Sequence, residues 1–394
     1  MQLTRTFSPS HLNDFLECEH LAALGLAVAR GELARPDVDD PQAELIRRKG
    51  DEHERAYLAQ LRAEGKSILV VESDDRDWER AAEATADAIR SGLHDVIYQG
   101  AFVDPEGWRG LADFIEQQPD GSYEVSDTKL ARHSKPYFLL QLSFYSEQLG
   151  RIQGRLPERM HVVLGTNDRE SFRVADFIAY YRRVRTRFLE FAEGPRATYP
   201  HPVPHCDVCA WKTVCEQRWI DDDYPSLVAN MRRSWIGKLA DAGITTLEGL
   251  ALAQVDAIEG MRPEILDRIR DQARMQYEAR TRGHAWKLLP AQADHGLALL
   301  PRPSEGDVFY DIEGDPFYEA ARGLEYLHGV IVDGGFRAFW ARSRDEEQRA
   351  FEQLVDFLTE RLLRYPDLHV YHYSPYETSA LKRLAGEYGT REEH

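Results

Sequence analysis

From Trp108 to Arg132 the chain reads WRGLADFIEQQPDGSYEVSDTKLAR, two stretches of alternating apolar and polar residues joined by Pro119-Asp120-Gly121. Alternation at period two predicts half-buried strands and Pro-Asp-Gly predicts a tight turn, so the segment reads as a β-hairpin. The flanking sequence extends it. Ser8-Pro9 offers an N-cap and first turn ahead of a helix carrying Leu12, Phe15, Leu16 and Cys18, and a second helix fits residues 41–61. Strands read at 67–71 and 96–103 with a helical stretch at 77–91 between them. An amphipathic helix starts at Pro136, and a strand follows at 160–164. The core order is helix, three strands, helix, strand, which predicts an α/β fold with a mixed sheet and flanking helices.

The hairpin places charge in an unusual way. With the turn centred near Asp120, Asp113 falls across from Asp127, and Asp127 and Lys129 share a face because strand residues two apart do. Two adjacent carboxylates repel unless a cation lies between them, and hard oxygen ligands suit Mg2+ or Mn2+. A lysine beside them can neutralise charge on a phosphate or orient an attacking water. The set fits phosphodiester hydrolysis; a solvent-facing ion pair is the plainer alternative.

The chain has four cysteines, three in Cys206-x2-Cys209-x5-Cys215 and the fourth at Cys18. The N-terminus MQLTRTFSPSHLNDF lacks the apolar stretch of a signal peptide and no run is long enough to span a bilayer, so the protein reads as cytoplasmic with no membrane partner. In a reducing compartment clustered cysteines more often hold a metal or an iron-sulfur cluster than form disulfides. Thiolates suit an iron-sulfur cluster or zinc, and His201 and His205 are candidate zinc ligands in the second case. The net charge of −18 excludes a protein that coats nucleic acid through its overall field. Any such contact needs local patches, Arg47-Arg48-Lys49 or the run Arg182, Arg183, Arg185 and Arg187, each equally readable as a solvated helix face.

Three regions separate on pattern: residues 1–220; a strand-free helical segment, 221–290, whose Leu239-to-Leu247 phrase resembles a helix-hairpin-helix turn or serves only as a linker; and 304–394. In the third, Asp311 and Glu313 lie on one face of an alternating strand at 307–313. Strands at 325–332 and 336–341, a helix at 345–363, a strand at 368–373 and a helix from Pro375 complete it.

Gly50-x2-His53 on the second helix, Gly110-Leu-Ala-Asp113 and Asp127-Thr-Lys129 in the hairpin, and Gln141-x3-Tyr145 on the next helix together resemble the RecB-like branch of the PD-(D/E)xK nucleases. More specifically they resemble the subgroup with a four-cysteine iron-sulfur cluster, related to the CRISPR adaptation nucleases and the AddB nuclease domain. The resemblance covers the first region and implies a restriction-endonuclease-like core. It implies His53, Asp113 and Asp127 as Mg2+ or Mn2+ ligands, Lys129 as catalytic lysine, and Gln141 and Tyr145 as supports of the site. It also implies that Cys18, Cys206, Cys209 and Cys215 hold a structural [4Fe-4S] cluster. The family often has Glu where Asp127 stands.

The third region resembles the start of a DnaQ-like, ribonuclease H-like domain, with Asp311 and Glu313 as its first acidic motif and Glu377, in Tyr371-His-Tyr-Ser-Pro-Tyr-Glu377, as the third ligand of a second metal site. The usual Asn-x-x-Phe-Asp is replaced there, and the final acidic motif is expected beyond His394, in a C-terminally incomplete domain. Relatives often join these parts to a helicase, in the same or another chain; this sequence has no GxxxxGK[ST] loop. The expected function is a metal-dependent DNA nuclease acting on single strands or ends, with Arg182, Arg183 and Arg185 as nucleic-acid contacts and possible repair or defence roles. The alternatives are a non-catalytic nucleic-acid-binding scaffold, an exonuclease using the ribonuclease H-like site, and a zinc protein.

Overall fold

The computed structural model describes residues 6–72, 77–194, 197–319 and 322–393. The chain divides into two units, Met1–Leu164 with Asp168–Leu288, and Gly165–Asn167 with Leu289–His394. Both are mixed α/β structures.

The first unit opens with α1 (Pro9–Glu17), α2 (Glu19–Ala29) and α3 (Pro41–Ala63). Pro9 suits the first turn of α1, and the Asp40 carboxylate accepts from the Gln42 and Ala43 amides at the start of α3. There follow β1 (Ile68–Val70), α4 (Trp78–Ser91), β2 (Val96–Val103), β3 (Arg109–Gln117), β4 (Tyr123–Lys129), α5 (Pro136–Gln153), β5 (Arg159–Leu164), β6 (Arg169–Arg173) and α6 (Val174–Glu193). The six strands lie in chain order across one sheet, β1 parallel to β2, β4 parallel to β5, and the other neighbours antiparallel. On one face α3 packs Tyr57, Leu58 and Leu61 against Val96, Phe114 and Val163. On the other, Ile97, Ile115, Val125 and Val162 are buried with Leu12, Ala88, Leu142 and Val184 from α1, α4, α5 and α6. Burying each such side chain stabilises by about 1.5–3 kcal/mol, and the two layers fix β3 and β4 rigidly between helices.

Beyond the sheet come α7 (Lys212–Asp221), α8 (Arg233–Asp241), α9 (Leu247–Leu252) and α10 (Pro263–Arg282). They have their own core, which includes Trp235, Leu239, Leu247, Leu250, Leu266 and Ile269. The turn between α8 and α9 uses Gly243 at φ +77°, and Thr246 caps α9 by accepting from the Gly249 amide. The Asp223 carboxylate accepts from the Glu248 amide, so the start of α9 is already satisfied from within the chain.

The second unit contains β7 (Val308–Asp315), β8 (Leu324–Val332), β9 (Gly335–Trp340), α11 (Arg344–Arg364), β10 (Val370–Tyr371) and α12 (Pro375–Tyr388). Its sheet runs β10-β7-β8-β9, with β10 parallel to β7 and the rest antiparallel. Asp333 and Gly334, at φ +50° and +75°, form the tight β8–β9 turn that needs two left-handed residues. Val308, Tyr310, Ile312 and Val330 pack with Leu354 and Ala380 of α11 and α12, whereas Phe309, Asp311 and Glu313 alternate to the exposed face.

Three elements differ from the sequence pattern. The Glu19–Ala29 helix and the β6 strand have no expectation behind them; RESFR in β6 has one apolar residue, Phe172, which packs against the core. The expected strand at 368–373 shrinks to two paired residues. Among the described residues no helix is long and apolar enough to cross a membrane.

Candidate active site

Strands β3 and β4 pair from Gln117↔Tyr123 to Phe114↔Ser126, a register whose next step is Asp113 opposite Asp127. The ladder stops one pair short, where β2 and β3 are also interrupted: Tyr98 pairs with Phe114 and Gly100 with Ala112, but Gln99 does not pair with Asp113. Gln99 has φ +58°, the left-handed region that non-glycine residues seldom occupy. The consequence is a change of face. Tyr98 packs with the α3 cluster, whereas the Cβ position of Gly100 points at Ile115 and Thr85 on the opposite side. Asp113 thus sits at a break in the sheet, its Oδ2 accepting from the Thr128 amide at 3.0 Å and the Thr128 hydroxyl at 3.1 Å.

Asp127 is 1% exposed. The Lys129 ammonium lies 2.5 Å from its Oδ2, and the Asp113 carboxyl is close enough to share a hydrogen bond with it. Burial, then the negative charge of Asp127, hold the Asp113 carboxyl well above the ordinary carboxylate range, with Glu54 adding to the effect and Lys129 opposing it. Burial works against the charge on Lys129, but Asp127 and Asp113 together outweigh it and raise its pKa. The ammonium also lies 5.6 Å from the centre of the Phe138 ring. Two buried carboxylates sharing one ammonium form an electrically unfinished group.

Gln141 and Tyr145 meet on α5, Gln141 Nε2 donating to Tyr145 Oη at 3.2 Å. Tyr145 is buried, and burial raises its pKa, with smaller contributions from Asp127 and Asp113. Gly110 makes room for it: a Cβ there would lie 2.8 Å from Tyr145 Cε1. His53 is also buried, on the α3 face that carries Tyr57 and Leu61, with Nε2 3.2 Å from the Val163 carbonyl. That carbonyl lies on the strand beside Thr128. The residue missed in the sequence is Glu54, whose Oε1 accepts from Gln99 Nε2 at 2.5 Å; its only sequence signal is a place next to His53. Among the described residues no three His, Cys, Asp or Glu side chains are gathered closely enough to ligate one ion.

The arginine run needs correction. Tyr181, Val184, Arg185 and Phe188 fall on the inner face of α6, so Arg185 is buried. Its guanidinium binds Asp104, Glu106 and Glu147 and lies 5.3 Å from the Trp108 ring. Arg182 Nε donates to Glu147 Oε1 at 2.6 Å. Both are committed to internal carboxylates, and Arg183 alone of the three is an exposed residue without such a partner described here.

The four cysteines line one cavity of about 20 Å3. Cys18 stands between α1 and α2, Cys206 lies in the 3-10 turn Pro204–Val208 and Cys209 just after it, and Cys215 is on α7. Burial, then the neighbouring thiols Cys209, Cys18 and Cys206, push the Cys215 thiol up to about 11, and Cys209 is raised in the same manner. The nearby histidines His20 and His201 have Nδ1 engaged with Thr198 and Tyr224 hydroxyls, each at 2.8 Å. Four sulfurs line the cavity together with His205, a donor set that fits a thiolate-bound centre in composition.

In the second unit Asp311 and Glu313 line a pocket of about 280 Å3 with Phe309, Gly329, Ile331 and Phe336. Glu377 is buried at the start of α12, where its Oε2 accepts from the Ser374 amide and hydroxyl as a capping box, and it and Asp311 both act electrostatically on the Tyr310 phenol.

A model of the RNase H superfamily matches residues 308–394. The matched segment is a ribonuclease H-like domain, a fold typical of phosphodiester hydrolases. No curated protein matches the chain.

Proposed function

We propose that the protein is a Mg2+- or Mn2+-dependent nuclease that hydrolyses DNA phosphodiester bonds, on single strands or at ends, with the hairpin group of the first unit as its reaction centre. The observation that carries this is the Asp127 carboxylate, buried beside the Asp113 carboxyl with the single Lys129 ammonium 2.5 Å from its Oδ2. Such a group is stabilised by a hard divalent cation held by Asp113 and Asp127. When bound, that cation supplies Lewis acidity at the scissile phosphate. Lys129 then faces the negative charge that grows on the phosphate oxygens. The buried Gln141–Tyr145 pair fixes the wall of the site, and the Thr128 amide and hydroxyl hold Asp113 in place.

On this view residues 1–220 are the hydrolase domain, 221–290 a helical segment, and 304–394 the ribonuclease H-like domain. Cys18, Cys206, Cys209 and Cys215 would hold a structural [4Fe-4S] cluster, with zinc as the alternative. Arg183 remains a candidate phosphate contact. A second reading places an exonuclease centre at Asp311 and Glu313; it is favoured by the superfamily match and by the pocket those carboxylates line.

The test is degradation of end-labelled single- and double-stranded DNA by anaerobically purified protein with Mg2+ or Mn2+. Lys129→Ala is expected to abolish activity and Asp311→Ala to leave it. Loss in Asp311→Ala alone moves the reaction centre to the second unit, and an inactive wild type that binds DNA makes the protein a scaffold.

A further inference from the structure

We propose that Arg232 and Arg268 form a guanidinium clamp for one phosphate of a nucleic-acid strand, on the helical segment and apart from the hairpin group. This rests on a nucleic acid being the protein's substrate.

The clamp is built on one tryptophan. Trp235 and Leu239 of α8 pack with Leu266, Ile269 and Ala273 of α10, and Trp235 is 7% exposed at the margin of that core. Arg232 precedes α8 as its N-cap residue, in extended backbone, and Arg268 stands next to Ile269 on α10. Both arginines are exposed. Their guanidinium carbons lie 5.0 Å and 5.8 Å from the centre of the Trp235 ring. An indole attracts a guanidinium through its negative face, so a single ring held by the core gathers two positive groups from different helices.

Neither group is neutralised within the chain. Arg270, Arg274, Arg280 and Arg282 of the same segment each pair with a carboxylate. Among the described residues Arg232 and Arg268 pair with none. The acids closest to Arg268 along α10 are engaged elsewhere or leave it alone: Asp267 accepts from Arg270 and Asp271 from Lys287, each at 2.6 Å, and Glu264, one turn earlier, forms no ion pair. Arg233 acts instead on His201 and Tyr224. In a protein of net charge −18, two like charges are thus left together, separated by no more than roughly the Debye length of about 8–10 Å. An anion between them relieves the repulsion, and the planar guanidinium fork matches phosphate oxygens two at a time.

The position selects a strand. Both side chains are open to solvent, which suits a phosphodiester running over the surface and held at further points along its length. The indole is too covered to stack a base, so the clamp positions the backbone and reads no sequence. It lies at the start of α8 rather than at the α8–α9 turn, where Thr246 and Asp223 already accept from the Gly249 and Glu248 amides.

The test is binding of a labelled single-stranded oligonucleotide to the full chain by fluorescence anisotropy, in EDTA and over a series of salt concentrations, so that no turnover is needed. The double variant Arg232→Gln, Arg268→Gln is expected to weaken binding about fivefold and to reduce the slope of log affinity against log salt by about 0.7, the share of one phosphate on a single strand. Arg232→Lys with Arg268→Lys keeps the charge and is expected to keep the slope, and Arg183→Gln to keep both slope and affinity. Inorganic phosphate at matched ionic strength is expected not to compete; competition makes this a free-anion site and overturns the assignment to a strand. Wild-type affinity and slope in the glutamine pair overturn it as well, as do equal losses in the glutamine and lysine pairs with lowered melting temperatures, which mark a structural role. A wild type that binds no oligonucleotide removes the clamp altogether. Clamp-dependent binding by a wild type that degrades nothing supports the clamp while removing the hydrolase reading.

Discussion

Charge on single side chains sets much of this molecule's chemistry, and His328 shows it away from the candidate site. The ring is fully buried in β8, its Nδ1 2.9 Å from the Tyr310 hydroxyl and its Nε2 without a partner. Burial lowers its pKa to about 4, with Glu347 partly opposing. The fold therefore favours the neutral ring, while the unfolded chain takes up a proton near 6.5. Stability from this residue is complete above about pH 6.5, and falls by roughly 3 kcal/mol as the pH drops to about 4. Hydrogen exchange of β8 peptides between pH 7 and 4.5 should show protection declining, after correction for intrinsic rates. A His328→Gln protein with an equally steep decline would rule the residue out as its source.

At the scale of elements, the sequence displayed the parts that alternate and hid those that do not. The Pro119-Asp120-Gly121 turn, the opposition of Asp113 to Asp127 and the shared side of Asp127 and Lys129 follow from period two, and β3 and β4 form in that register. The same logic cannot find Gln99, because nothing in IYQGAF marks a left-handed residue, and so the Glu54 contact was invisible. The arginine run misled for a related reason: helical period, not charge, decides that Arg185 turns inward. The cysteine spacing was legible as a cluster, but that Cys18 shares a cavity with the other three depends on tertiary packing. A prediction belongs here. Cys18→Ser is expected to remove the absorbance near ~400 nm of an iron-sulfur centre and to deprotect the α1 and α2 peptides in hydrogen exchange. Unchanged colour and protection would show that Cys18 is not a ligand.

In the molecule as a whole, the two units are linked through a segment with few anchors. Trp286, Leu288, Leu289 and Leu297 are 73%, 82%, 78% and 85% exposed, large apolar side chains in a connector with only a single 3-10 turn, Gly296–Leu299. Exposed irregular segments are preferred protease sites. Brief proteolysis is expected to cut between residues 284 and 303, and the larger fragment should keep divalent-dependent DNA degradation. Activity that leaves with the smaller fragment would assign the chemistry to the ribonuclease H-like domain.

The shared cysteine cavity also bears on how the protein is made. Its N-terminal member emerges from the ribosome long before Cys206, and at roughly 5–20 residues per second the wait is on the order of 10–40 s. During that interval the Phe7–Trp108 bridge can hold the N-terminal segment once Trp108 has been made, whereas the packing of Phe15 on Phe188 waits almost as long as the thiol partners do. Closure of the cysteine cavity is therefore a late event in synthesis, timed by the arrival of its last three cysteines.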